Sequence, residues 1–307
     1  MQDGSKKAIL AAFFANLGIA IAKFVGFALT RSTGLLAEAG HSLADTGNQA
    51  LLLLGAKRSK RQPNRDFHFG FGRERYFWSF IVALVLFSMG GLFALYEGIQ
   101  KLSHPHETER LPIAIAILLV AIALETFSLR TAVKEARHIK PRNTSWLRFI
   151  RTSKQPELSV VLLEDVGAEA GLLIALAGVM TAHFTGEPRW DAAGSIAIGI
   201  LLVIIAAVLA IETKALLIGE SVGDDDLESI SVALTSEPTV QSILNLRTEH
   251  ISPDEILVAA KLHFLDDLDA RSLSEAINRI ESTVRAAVPT ARYVFIEPDL
   301  PHEVFQG

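Results

Sequence analysis

"LLAEAGHSLADTGNQALLLL", residues 35–54, is solid leucine at its ends and polar in its middle. Glu38, His41, Asp45, Asn48 and Gln49 interrupt a segment otherwise apolar enough to cross the ~30 Å hydrocarbon core of a bilayer, for which a helix needs about 20 residues. His41, Asp45 and Asn48 fall on one face of that helix, because residues three, four or seven apart line up on a 3.6-residue turn. An ionisable side chain at the centre of a membrane helix costs roughly 2.5–3.5 kcal/mol on insertion scales, so such groups face protein or water and mark functional positions. The stretch therefore reads as a membrane helix with one wall of polar groups.

Five further apolar windows accompany it, giving six in all near residues 8–29, 34–56, 77–99, 111–132, 158–181 and 190–213. Orientation follows from Lys and Arg, which are retained in cytoplasmic loops. The connection "KRSKRQPNRDFHFGFGRER" (57–75) holds seven of them and residues 130–154 hold eight. The opposite connections hold only Arg31, then Lys101 and Arg110, then Arg189. With Lys6 and Lys7 ahead of the first span, the expectation is an α-helical membrane protein of six transmembrane helices with both termini cytoplasmic. The leading "MQDGSKK" runs into an apolar segment of full spanning length without a small-residue cleavage site, so no cleavable signal peptide is expected.

There is no cysteine, which excludes disulfides and thiolate metal sites and leaves His and carboxylate as metal ligands. The net charge of −5 combines basic loops with an acidic C-terminal part and gives no support to a nucleic-acid partner. From about Gly219 the chain becomes soluble in character. Residues 224–236 read as a helix with Asp224 to Asp226 as candidate caps. "SILNLRTEHI" and "ILVAAKLHFL" read as strands joined at "SPDE", residues 271–287 carry apolar positions at helical spacing, and "RYVFIEP" reads as a third strand. The expected domains are residues 1–213 in the membrane and 214–302 as a small cytoplasmic α/β (α-β-β-α-β) domain. Residues 303–307, "EVFQG", look like the remnant of a tag cut by a viral protease and are set apart as a tail.

His41 and Asp45, one turn apart, let an imidazole and a carboxylate converge on one cation. The fifth window offers "VVLLEDVGAEAGLLIAL" with Glu164, Asp165 and Glu169, where Asp165 and Glu169 share a face and Glu164 points about 100° from Asp165. Two helices carrying carboxylates at mid-depth repel unless a cation or protons intervene, and no Lys or Arg lies deep in either window. Asn16 reads as a helix contact, Lys23 as snorkelling or paired, Asp191 as a helix cap, and Glu125 as a pairing or proton-relay group. Glu97 and Glu212 need no special role, and Glu38 and Gln49 read as structural. Gly90 with Gly91, Gly167 with Gly171 and Gly194 with Gly199 favour close helix packing. His250 and His263, on strand-like segments, read as surface histidines.

These residues resemble the cation diffusion facilitator family, the zinc-transporting group of proton-coupled antiporters. "TGLLAEAGHSLADTGNQ" matches its "HS..D" signature, "FGFGRER" its "FG.GR" loop pattern, and "LLIGES" precedes its α-β-β-α-β tail. A closer resemblance is to the branch represented by the ninth human zinc transporter, through "LLED" in the fifth span and "SHP" after the third. The resemblance implies His41, Asp45 and Asp165 as metal ligands, with Val161 where many members have a histidine and Glu164 as an unmatched fourth ligand. It implies efflux of a divalent cation, zinc first and manganese, iron or cobalt as alternatives given the hard ligands. Protons are the counter-substrate, with no cofactor and no enzymatic activity. A homodimer through the C-terminal domain, in the cell's inner or plasma membrane, is implied as well. Phe67 and Phe71 stand where the family's loop histidine is common and His68 is displaced by one. In the tail Asp299 stands with Glu297 where a histidine is common, so dimerisation is expected there ahead of metal sensing. A membrane metalloenzyme is the reading from another class, but "HExxH" and nucleophile constellations are absent.

Overall fold

The computed structural model describes residues 3–30, 33–104, 111–140 and 144–301. The tail at 303–307 lies outside them. The chain divides into two units, Met1–Gln62 with Glu74–Lys214, and Pro63–Arg73 with Ala215–Gly307.

The first unit is helical. It comprises α1 (Asp3–Thr30), α2 (Thr33–Arg58), α3 (Glu74–Val85), α4 (Phe93–Ser103), α5 (Leu111–Ile139), the short α6 (Trp146–Thr152), α7 (Pro156–Thr185) and α8 (Arg189–Ile218). A π-helical turn, Leu86–Leu92, runs α3 on into α4 around Gly90 and Gly91. The ends have local causes. Pro156 at the first position of α7 has no N–H to leave unpaired, and Gly186 closes that helix in the left-handed region at φ +68°. Among the described residues four stretches are long and apolar enough to cross a membrane: Lys6–Leu29, Glu74–Ser103, Leu111–Ile139 and Arg189–Ile218. The other two long helices, α2 and α7, carry the polar rows.

Small residues let α1 and α5 pack closely, since Ala8, Ala12, Ala132 and Ala136 are fully buried in the same core as Ile9, Leu52, Val82, Leu158, Val160 and Val161. Glycine sets the α4–α8 contact: a Cβ on Gly199 would stand 2.7 Å from the Leu95 backbone nitrogen, and one on Gly98 2.8 Å from that of Ile196. Lys101 ties the same helices by pairing with Glu97 at 3.2 Å and Asp191 at 3.3 Å. Glu97 and Asp191, read as an idle group and a cap, are thus both ion-pair partners of one lysine.

The second unit is a three-stranded sheet under two helices: α9 (Asp224–Thr235), β1 (Val240–Ser252), β2 (Glu255–Phe264), α10 (Ala270–Ala287) and β3 (Ala291–Pro298). β2 is central, antiparallel to β1 and parallel to β3, with α10 as the crossover that a parallel pair requires. Ile256, Val258, Ala260, Leu262 and Phe264 alternate onto one face of β2 and bury against Ile230 and Leu234 of α9 and Ile280 and Val284 of α10. Gly223, not an aspartate, occupies the N-cap of α9, and Asp224 to Asp226 fill its first turn, where the helix dipole favours them. Asp269 caps α10 by accepting from the Ser272 N–H at 2.7 Å, and that bond holds its carboxyl below the usual range. Hydrogen bonds from Arg279 of α10 likewise hold Glu237 low.

The α2–α3 connection folds with this unit. Phe69 meets Tyr293 of β3 edge-on at 5.0 Å, Arg73 pairs with Glu249 of β1, and a Cβ on Gly72 would stand 2.5 Å from that of Ser252. Phe67 stacks on Phe71 at 4.7 Å, so the two aromatic residues standing at family histidine positions pack on each other. His250 is buried, contrary to the surface reading, because Glu220 crosses over this end of β1 and accepts the His250 backbone N–H at 3.1 Å.

Candidate cation site

α2 and α7 meet through their polar rows. Glu164 is 5% exposed, and both of its oxygens accept hydrogen bonds from α2: Oε1 from Asn48 Nδ2 at 3.2 Å, Oε2 from Gln49 Nε2 at 2.7 Å. Asp165, one residue on and 1% exposed, turns to α5, where Ser128 Oγ donates to its Oδ2 at 2.7 Å. The next turn repeats the contact, with Thr126 donating to Glu169 at 2.9 Å. Adjacent acids on one helix thus address different neighbours, as their 100° separation requires.

Asp45 of α2 is half-buried, and its charge is felt at both Glu164 and Glu125. Glu125 of α5 is buried on the face it shares with Ser128, within electrostatic reach of Asp165 and Glu169 as well. Lys23 of α1 is also buried rather than snorkelling. It donates to Ser42 of α2 at 3.0 Å and its charge acts on Glu125. His41 lies on α2 one turn before Asp45, but its side chain is outside the described part. Among the described residues no three His, Asp or Glu side chains are gathered at metal-ligand spacing.

What the arrangement offers chemically is a surplus of oxygen. Asp45, Glu125, Glu164 and Asp165 supply four carboxyl groups from three helices, and the carbonyl oxygen of Asn48 and one oxygen of Glu169 are buried with no hydrogen-bond donor. Acceptors left over in a buried acidic centre suit a cation, which binds lone pairs and needs no N–H. Glu164 and Asp165, singled out in the sequence, are both buried at this meeting of helices, while Gln49, which reads as structural there, is fully buried and the partner in the shorter of Glu164's two bonds, and the hydroxyls of Thr126 and Ser128 carry no signal in the sequence. A usable signal was the pairing of adjacent polar residues, Asn48–Gln49 on one helix and Glu164–Asp165 on the other.

In the second unit Lys261 Nζ sits between Glu297 at 2.9 Å and Asp299 at 3.0 Å. The ammonium group stands with the two acids that the family resemblance singles out, and their hydrogen bonds hold Lys261 above its ordinary value.

Fold and centre together define a helical membrane protein with a buried acidic core and a small α/β unit. Residues 9–218 match the family described as the cation efflux transmembrane domain, and the chain belongs to that family, the cation diffusion facilitators. It is 31% identical over 273 residues to the mouse protein named proton-coupled zinc antiporter SLC30A9, mitochondrial, covering 89% of this chain and 48% of that one. Over 261 residues it is 30% identical to metal tolerance protein C4 of Arabidopsis thaliana, covering 85% and 57%. Over 281 residues it is 26% identical to magnetosome protein MamB of a Magnetospira strain, covering 89% and 90%. The chain spans about half the length of the first two of these relatives.

Proposed function

We propose that the chain is a divalent-cation efflux transporter that exchanges zinc for protons across a membrane it spans six times, with both termini on the cytoplasmic side. α2 and α7 join the four apolar stretches as spans, residues 1–213 form the membrane part, and residues 214–302 form the cytoplasmic domain. The observation that carries the reading is the buried meeting of α2 and α7 at Glu164, with Asp165 beside it and Asp45 in electrostatic reach, in a chain whose relatives include a named proton-coupled zinc antiporter. His41, Asp45 and Asp165 are the proposed ligands and Glu164 the fourth. Metal takes neutral imidazole and ionised carboxylate, so cation and protons compete for one set of atoms. Protons arriving from the far side release the metal once the bundle has rocked to face outward, and no covalent step is needed.

Manganese, iron and cobalt remain the alternative cargoes because one imidazole among carboxylates is a hard set. The cytoplasmic domain serves as a dimer contact, and Lys261 between Glu297 and Asp299 supports a unit that does not rely on metal there. The membrane is the cell's own inner or plasma membrane, although the mouse relative's name places that protein in mitochondria.

Reconstitution into vesicles with an imposed pH gradient tests this. Zinc should move in the native chain and stop with Asp45→Ala or Asp165→Ala, and native rates in either variant would refute the ligand assignment. A panel of zinc, manganese, iron and cobalt, with and without the gradient, identifies the cargo.

A further inference from the structure

α7 enters the bundle at Pro156 and is buried all round from there to Leu162, and Glu157, Val160, Val161, Glu164 and Asp165 share one side of it. Those positions are i, i+3, i+4, i+7 and i+8, so Glu157 lies two turns before Glu164, about 10 Å along the axis at ~1.5 Å per residue. Glu157 is 1% exposed and is held from α3 by Arg75, itself 3% exposed. The contact is two-pronged: Arg75 Nε donates to Glu157 Oε1, and Nη2 donates to Oε2 at 3.0 Å. Val160 and Val161, both fully buried, fill the turn between that pair and Glu164.

A pair this deeply desolvated is a poor device for stability alone, since apolar side chains of similar volume hold helices together equally well or better. What it supplies is a two-point contact that exists in one arrangement of α3 and α7 and lapses when the helices part. It also places a carboxylate on the side of α7 that carries Glu164 and Asp165, at the helix end where the basic connection 130–154 enters.

We propose that Arg75 and Glu157 form the gate on this side of the cation path. Closed, the guanidinium holds Glu157 and keeps α3 and α7 together beside the buried Val160 and Val161. Open, Glu157 is released from Arg75 and becomes the first carboxylate an incoming divalent cation meets, two turns ahead of Glu164. The gate rests on the transporter reading, but its state is readable without transport.

The chain contains no cysteine, so a single introduced thiol is reported without background. Val161→Cys is placed in the otherwise native full-length chain in membrane vesicles, and a membrane-impermeant methanethiosulfonate reagent is applied to the face bearing residues 57–73. Labelling should be slow with the pair intact and at least tenfold faster when Arg75→Gln or Glu157→Gln is added. It should be slow again in the exchanged pair Arg75→Glu with Glu157→Arg. Ala132→Cys, fully buried in α5, serves as the packing control and should stay unreactive throughout. Val161→Cys rates that ignore the pair overturn the gate, and so does a rise at Ala132→Cys alongside it, which would mean general loosening. A parent chain that moves no metal refutes the transporter reading and leaves the labelling comparison intact.

Discussion

A buried carboxylate whose two oxygens are both engaged by N–H donors cannot turn from its position without giving up both bonds, and Asn48 and Gln49 hold Glu164 in this way. The consequence for a cation site is orientation: the plane of the carboxyl is fixed before any metal arrives, which spares the ordering cost at binding. Gln49→Leu removes one of these bonds at similar volume. With a cation beside an ionised Glu164 such a bond contributes ~1.5–3 kcal/mol, or roughly 10–100-fold in affinity. Zinc affinity measured by titration calorimetry on the purified variant should weaken by that order, and an unchanged affinity would place Glu164 outside the binding step. Gln49 reads as structural from the sequence because it lies at the edge of the His41–Asp45–Asn48 face, four residues after Asp45, and one helix wheel cannot say how wide a buried face is. Glu164 and Asp165 were legible because charge inside an apolar window is conspicuous. Thr126 and Ser128 were not, because a hydroxyl in a membrane helix is ordinary.

At the scale of elements, the α4–α8 contact shows how glycine substitutes for cohesion that water would otherwise drive. Between membrane helices there is no hydrophobic gain on association, so attraction depends on close approach of backbones. Gly199 permits it, with the Leu95 nitrogen 2.7 Å from where a Cβ would stand, whereas a Cβ on Gly171 would meet only Ile198 side-chain carbons at 3.5 Å and beyond. Gly199→Ala should therefore force α4 and α8 apart and cost about 1–3 kcal/mol, and Gly171→Ala should be nearly neutral. Thermal unfolding in detergent distinguishes them, and equal midpoints would mean the contact is not as tight as the distances state. The same helices mark where sequence reading worked. Length and hydropathy located the four apolar stretches Lys6–Leu29, Glu74–Ser103, Leu111–Ile139 and Arg189–Ile218, and the alternation along β2 and the helical spacing of α10 were open to inspection. Lys101 with Asp191 was not, because nothing in a sequence distinguishes a capping aspartate from one that reaches a lysine on another helix.

At the scale of the whole chain, the connection 63–73 carries more than its length. It leaves α2, which holds the polar row, enters α3, whose second residue is Arg75, and between them folds against β1 and β3 of the α/β unit. Three contacts hold it there: Phe69 on Tyr293, Arg73 with Glu249, and Gly72 against Ile251 and Ser252. Only the last is intolerant of any side chain, because the Cβ position lies 2.5 Å from a carbon and 3.0 Å from the Ile251 carbonyl oxygen. Arg73 and Glu249 are both about one-third exposed or more, so their pair contributes little by itself. Gly72→Val should therefore release the segment while leaving the strands paired, since β1 and β2 hold each other through their own ladder. Amide exchange followed by mass spectrometry should show residues 63–73 losing protection and residues 240–264 keeping it. If the segment stays protected, its order comes from the helices it joins and not from the sheet. If it is released and zinc transport falls with every proposed ligand in place, the α/β unit acts on the proposed cation path through this segment, by restraining the two helices at its ends.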